Sequence, residues 1–120
     1  MNITPEDIKS PLVLLLWIQK QPTVTPLEVK IREAVGMRII NAIGLIHMLD
    51  AGNAPKTADM LANECGIHEG AIRTLKNLGL FERNRDRHRY LVIATPEGLA
   101  KAIELKKTIQ KLITKLTKPR

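Results

Sequence analysis

Apolar positions recur at helical spacing along most of this chain, and the stretches are separated by consistent start and stop signals. The pattern from Ile8 to Gln19 predicts a helix whose start is Ser10-Pro11, because serine is a good N-cap and proline suits the first helical position. Pro22 to Pro26 is a connector. Thr25-Pro26-Leu27-Glu28 then combines a capping box with a first-turn proline. A helical pattern follows to about Asp50, with Ile31, Val35, Ile39, Ile43, Ile46 and Leu49 on one stripe. Gly36 and Gly44 interrupt it, each at a cost of about 1 kcal/mol against alanine. They mark either a break near Gly36 or a close helix contact. Gly52 is the expected stop.

Thr57 to Cys65 predicts a short helix with Asp59 near its positive end and Met60, Leu61 and Ala58 facing inward. Gly66 makes a turn, and a second short helix runs from His68 to Leu78, with Ile72, Leu75 and Leu78 at helical spacing before Gly79. Leu80 to Arg83 and Arg89 to Ile93 are expected strands around a polar turn, Asn84 to His88. Thr95-Pro96-Glu97 opens a last helix. Its seam, Ala102, Leu105, Ile109, Leu112 and Leu116, has the three-four rhythm of a heptad, widened by Leu99, Ile103 and Ile113. The seam fits packing on the chain's own N-terminal helices or on a second chain. Lys101, Lys107, Lys111, Lys115 and Lys118 lie on the other face. The expected fold class is mainly α with a small β-hairpin. It has an N-terminal helical scaffold at 1–52, a central unit at 53–95 and a C-terminal helix at 96–120.

Composition adds limits. At 120 residues, 44% hydrophobic and 26% charged, the chain fits one globular domain. The single cysteine, Cys65, excludes an intramolecular disulfide and fits a reducing compartment. The longest apolar run, Leu12 to Ile18, is far short of a membrane span, and no secretion signal is evident. A cytoplasmic location is expected. The net charge of +7 is unevenly placed. Residues 1–50 carry five basic and five acidic groups, whereas residues 51–120 carry fourteen basic and seven acidic ones. A neutral apolar half for folding or association and a basic half for a polyanion is the reading this supports.

The order helix, helix, turn, helix, hairpin, helix resembles the winged helix-turn-helix family. The likeness is carried by Thr57-Ala58-Asp59-Met60-Leu61-Ala62-Asn63-Glu64-Cys65-Gly66-Ile67, then Ala71-Ile72 to Leu75, Leu78-Gly79-Leu80-Phe81 and Thr95-Pro96-Glu97-Gly98. This phrasing is similar to MarR-type and PadR-type transcriptional regulators over roughly residues 38–105. The resemblance implies a cytoplasmic, nucleoid-associated regulator, a repressor by expectation, that binds double-stranded DNA as a homodimer. It implies a second helix in the major groove, presenting His68, Glu69, Gly70, Arg73, Thr74, Lys76 and Asn77. Arg73 suits guanine and Asn77 adenine. Only twelve residues separate Gly66 from Gly79, about one helical turn fewer than is usual in the family. That shifts weight from base readout to phosphate contacts.

Arg83, Arg85, Arg87, His88 and Arg89 make the hairpin the most cationic segment, opposed only by Glu82 and Asp86. Such a wing suits the minor groove or flanking phosphates. If six to eight phosphates are neutralised per dimer, log K falls with log salt with a slope of roughly −5 to −7. Leu15 and Leu16, with Leu105, Ile109, Leu112 and Leu116, are the candidate dimerisation residues. Cys65 and His68 lack a third metal ligand and an orienting partner, so neither a metal site nor a catalytic dyad is expected. His47 is read as a satisfied packing residue. No cofactor, small-molecule ligand, membrane contact or enzymatic constellation is expected. Two alternatives stay open: an architectural protein that coats duplex without sequence choice, and a winged helix used for protein contacts.

Overall fold

The computed structural model describes residues 10–117. Six helices and one hairpin follow in the order α1 (Pro11–Gln19), α2 (Pro26–Val35), α3 (Ile39–Asp50), α4 (Ala58–Cys65), α5 (Glu69–Asn77), β1 (Phe81–Asp86), β2 (Arg89–Ala94) and α6 (Pro96–Thr117). The hydroxyl-plus-proline starts work as read. Ser10 Oγ accepts from Val13 N at 3.2 Å, Thr25 Oγ1 from Glu28 N at 3.1 Å, and Thr95 Oγ1 from Gly98 N at 3.0 Å. Thr57 caps α4 the same way through Met60 N. Each bond satisfies a helix N–H that has no intrahelical partner.

The two readings of the interrupted stripe apply to different glycines. Gly36 takes φ +69° and closes α2, so the long pattern is two helices. Gly44 is the close contact: a Cβ there would lie 3.0 Å from the Ile67 side chain and 3.3 Å from that of Leu75. The HTH pair thus seats directly on α3. The apolar stripe survives the break, with Ile31, Val35, Ile39, Ile43 and Ile46 all buried.

α3 is the central element. α6, α1, α2, α4, α5 and β2 all pack against it. One apolar cluster joins the three predicted segments, through Leu15, Ile31, Ile43, Leu61, Ile72, Leu75, Phe81, Val92, Ala102, Leu105 and Ile109. The heptad seam of α6 is therefore engaged on its own chain: Ala102, Leu105, Ile109 and Ile113 are buried against α3, α2 and α1. Leu15 is fully buried with them, while Leu16 and Leu112 are half-buried. The Leu116 side chain and all of Lys118 lie outside the described residues.

Three inward assignments are corrected. Met60, Leu78 and Ile103 are 39%, 59% and 45% exposed. Eight-residue α4 reaches the core only through Leu61 and Cys65, one turn apart. Leu78 caps α5 after its last turn, and Ile103 sits one residue round the helix from buried Ala102.

The hairpin is also longer than expected. β1 continues through Asn84, Arg85 and Asp86, which pair with Leu91, Tyr90 and Arg89. The turn shrinks to Arg87-His88, with Arg87 at φ +58°. These outer strand residues are almost wholly exposed, so their side chains lack the alternation that marks a half-buried strand. A third, short strand-like element lies on the far side of β2. Lys56 exchanges both backbone hydrogen bonds with Val92, and the Asn53 side-chain amide bonds both the N–H and the C=O of Ala94.

The last chain reversal depends on Gly98. Thr95 donates its hydroxyl to Gly79 O and its backbone N–H to Leu80 O, drawing the start of α6 onto the end of the HTH segment. A Cβ on Gly98 would sit 1.9 Å from Leu80 O. Only glycine permits that approach of two backbones.

Candidate nucleic-acid interface

α4, the Gly66 turn and α5 form the helix-turn-helix. Gly66, at φ +77°, ends α4 and allows Ile67 to drop into the core between the helices. α5 buries only Ile72 and Leu75. His68, Glu69, Gly70, Arg73, Thr74, Lys76 and Asn77 are all exposed, so every residue assigned to the reading face projects from the body. They do not project equally free donors. The Thr74 hydroxyl donates to Gly70 O at 2.9 Å within the helix, which commits its proton. Arg73, Lys76 and Asn77 make no ion pair or side-chain hydrogen bond among the described residues.

The hairpin register sorts the arginines. Phe81, Arg83 and Arg85 share a face with their partners Ala94, Val92 and Tyr90. That face begins in the core at Phe81 and emerges from it outward. Arg83, half-buried at its midpoint, crosses to Glu69 at the start of α5. Its Nη1 contacts Glu69 Oε1, and its Nη2 donates to Oε2 at 3.1 Å. It also lies 5.4 Å from the Tyr90 ring centre. The hydrogen bond from Arg83 holds the Glu69 carboxyl below the usual carboxylate range, and Glu69 in turn raises the Arg83 guanidinium. Arg85, Arg87, His88 and Arg89 are exposed towards the tip, and Arg85 Nε donates to Arg87 O at 3.3 Å. Arg89, opposite Asp86, is on the other face. The four-arginine alternation thus divides: Arg83 is a strut between wing and α5, and the other three are free cations at the tip.

Sequence reasoning missed three features near this surface. The Glu69–Arg83 pair spans fourteen residues and has no local signature. Glu64, at the end of α4, accepts from His47 of α3 at 2.7 Å and from Lys56 at 3.2 Å. His47 is therefore a hydrogen-bond partner of Glu64 as well as a packing residue. Its bond, ahead of that from Lys56, lowers the Glu64 carboxyl. Arg38 and Asn41, assigned to the scaffold half, border α5 across a cleft. An asparagine inside the apolar run Ile39 to Ile46 was the available signal. Cys65 donates to Leu61 O, and burial raises its thiol. Among the described residues no group of His, Cys, Asp and Glu is placed to hold a metal ion.

No protein-family model matches the sequence, and no curated protein matches it significantly. Solved structures do match in fold. MepR of Staphylococcus aureus, a transcription regulator of the multidrug efflux pump MepA, superposes with a TM-score of 0.68 at 13% identity, over 75% of this chain and 73% of its own. A probable transcriptional regulator from Pseudomonas aeruginosa gives 0.62 at 18% identity, over 76% and 74%. A MarR-family regulator from Silicibacter pomeroyi gives 0.59 at 18%, over 88% and 73%. The fold is the winged helix-turn-helix of MarR-type regulators.

Proposed function

We propose that this chain binds double-stranded DNA and acts as a sequence-specific transcriptional regulator, a repressor in the simplest case. The observation that carries the reading is the free charge at one end of a winged helix. Arg85, Arg87, His88 and Arg89 stand exposed on the wing tip, beside an α5 whose Arg73, Lys76 and Asn77 are exposed and uncommitted. α5 would enter the major groove with Arg73 and Asn77 at base edges, and the wing would take flanking phosphates or the minor groove. The transcription regulators that share the fold support this direction.

In this reading two chains associate through the outer faces of α1 and α6. Leu16 and Leu112 remain partly exposed there, and Val13 and Ile103 are exposed. Leu15, Leu105 and Ile109 would support that surface from beneath. A pair of wings about one duplex turn apart favours a pseudo-palindromic site. The work place of such a protein is the cytoplasm, at the nucleoid. No helix among the described residues is long and apolar enough to cross a membrane.

Selection of bound duplexes from a random pool, followed by a salt titration of the winner, tests the reading. Enrichment of a defined motif is expected, with log K falling steeply in log salt. Equal affinity for random and selected duplex would replace it with the architectural reading, which nine-residue α5 and its committed Glu69 favour. No binding to any duplex at low salt would leave a protein-contact module.

A further inference from the structure

A cleft of about 380 Å³ opens between the N-terminal ends of α3 and α5, lined by Arg38, Asn41, His68 and Thr74 together with the apolar Ile40 and Ala71 and bounded on one side by the Gly70 backbone. Asn41 is the unusual member. It is only 6% exposed, yet no hydrogen bond ends on its side chain among the described residues. Every fully enclosed side-chain nitrogen and oxygen described in this protein has a partner. The unpartnered amide of Asn41 is therefore the part of that residue that reaches the cleft. An amide held by an otherwise buried side chain and open to the cleft is a fixed donor and acceptor for a ligand there.

The backbone points the same way. α1, α2, α4 and α6 start with a hydroxyl that bonds their first turn, at Ser10, Thr25, Thr57 and Thr95. α3 and α5 start at Arg38 and His68, and neither side chain caps its helix. The N–H groups of Ile40 and Gly70, two residues that line the cleft, precede the first helical hydrogen bonds and have no partner. Two positive helix ends thus meet at one cleft. Arg38 is exposed and forms no ion pair there, and α3 has no acid in its first turn. The one carboxylate in the first turn of α5, Glu69, is drawn away by Arg83. Thr74 adds no donor, because its hydroxyl already bonds Gly70 O. A Cβ on Gly70 would meet nothing within 4 Å, so that wall is open.

We propose that this cleft binds a phosphate-type oxyanion, held by the Arg38 guanidinium, the Asn41 amide and the free N–H groups of the two helix ends. Two sources carry that chemistry: a backbone phosphate of duplex DNA, or free phosphate. The first rests on the DNA reading, since the cleft shares Gly70 and Thr74 with the exposed face of α5.

Amide NMR of the full chain with inorganic phosphate, against sodium chloride at matched ionic strength, is the test. Phosphate in the millimolar range is expected to shift the Ile40 and Gly70 amides and the Asn41 side-chain amide. Arg38→Gln, an exposed change, should abolish those shifts. Asn41→Leu, which keeps volume and removes the unpartnered group, should also do so in a folded protein. Salt titrations of duplex binding then identify the source. A slope reduced by about 0.9 in Arg38→Gln means that the cleft takes a DNA phosphate. An unchanged slope beside lost phosphate shifts means that it takes the free ion. Cleft amides that respond no more to phosphate than to chloride overturn the proposal, whether or not duplex binds. A wild-type chain that ignores duplex but shows the phosphate shifts overturns the DNA reading and keeps the cleft.

Discussion

Glu69, in the first turn of α5, holds Arg83 of β1 in a two-armed ion pair that ties the wing to α5. The pair fixes the angle between the two elements and neutralises one cation and one anion on the surface proposed to meet DNA. Glu69→Gln should release Arg83 and remove a charge that repels phosphate. Duplex affinity is expected to rise by about three- to tenfold, and the salt slope to steepen by about 0.9. Stability should change by no more than about 1 kcal/mol, because the pair stays in reach of solvent, with Glu69 exposed and Arg83 only partly buried. Anisotropy titrations at four salt concentrations would check this; an unaltered slope would mean that Arg83 stays out of reach of the duplex.

Acid should loosen the protein through two carboxylates. Hydrogen bonds from His47 and Lys56 lower Glu64, and the bond from Arg83 lowers Glu69, both from an ordinary value of 4.5. A depressed folded-state value means that the stabilisation is present above the unfolded value and is lost as pH falls through the folded one. The urea midpoint is therefore expected to hold from about pH 6 to 5 and to decline below about pH 4.5. The double variant Glu64→Gln, Glu69→Gln should decline less steeply over the same range.

Charge reversal at the tip separates the free arginines from the strut. Arg85→Glu with Arg87→Glu leaves the Glu69–Arg83 pair and the core untouched, since both residues are exposed and belong to neither. Circular dichroism and the thermal midpoint should stay close to wild type. Affinity for duplex is expected to fall by about a hundredfold or more at moderate salt, through loss of contacts and added repulsion. Retained affinity would remove the wing tip from the interface.

Leu105→Ala asks what the heptad seam does. Leu105 is 1% exposed inside the single chain, so its truncation should cost about 2–5 kcal/mol by cavity formation. That loss is expected to be the same at low and high protein concentration. A loss that appears only on dilution would show that the seam faces a second chain.

Gly98→Ala is predicted to be the most damaging single methyl in the chain. The added carbon would overlap Leu80 O, a backbone atom that cannot turn aside. Destabilisation of about 3 kcal/mol or more is expected in urea unfolding. Gly70→Ala, on an open helix face, is the control and should be neutral or stabilising by up to about 1 kcal/mol.

Local chemistry made much of this fold legible. Serine or threonine before proline marks where α1, α2 and α6 start, and Gly36 and Gly66 end helices because their left-handed backbone suits a residue without a side chain. The hydrophobic stripe identified Ile31 to Ile46 as core but not that Gly36 divides it, since both outcomes keep the same residues buried. The outer half of β1 was hidden because Asn84, Arg85 and Asp86 form a ladder without burying a face. At the site, the exposed positions of α5 were readable from their spacing around Ile72 and Leu75. Which of them are committed was not. Glu69 with Arg83 and Glu64 with His47 and Lys56 meet only through the tertiary fold. The heptad rhythm of α6 named Ala102, Leu105 and Ile109 of the buried residues and left their partner open.

The clasp of Lys56 and Asn53 on β2 also bears on how the protein behaves when concentrated. A hairpin that reaches beyond its core offers unpaired peptide groups to any neighbouring strand. Here the core-proximal rim of β2, at Val92 and Ala94, is already occupied, half by backbone and half by a side chain that imitates one. What lies beyond is the charged tip, where Arg87 and Arg89 discourage stacking of like hairpins. Cutting Asn53 back to alanine would bare the Ala94 end of that rim, and the hairpin is then expected to self-associate more readily at high concentration.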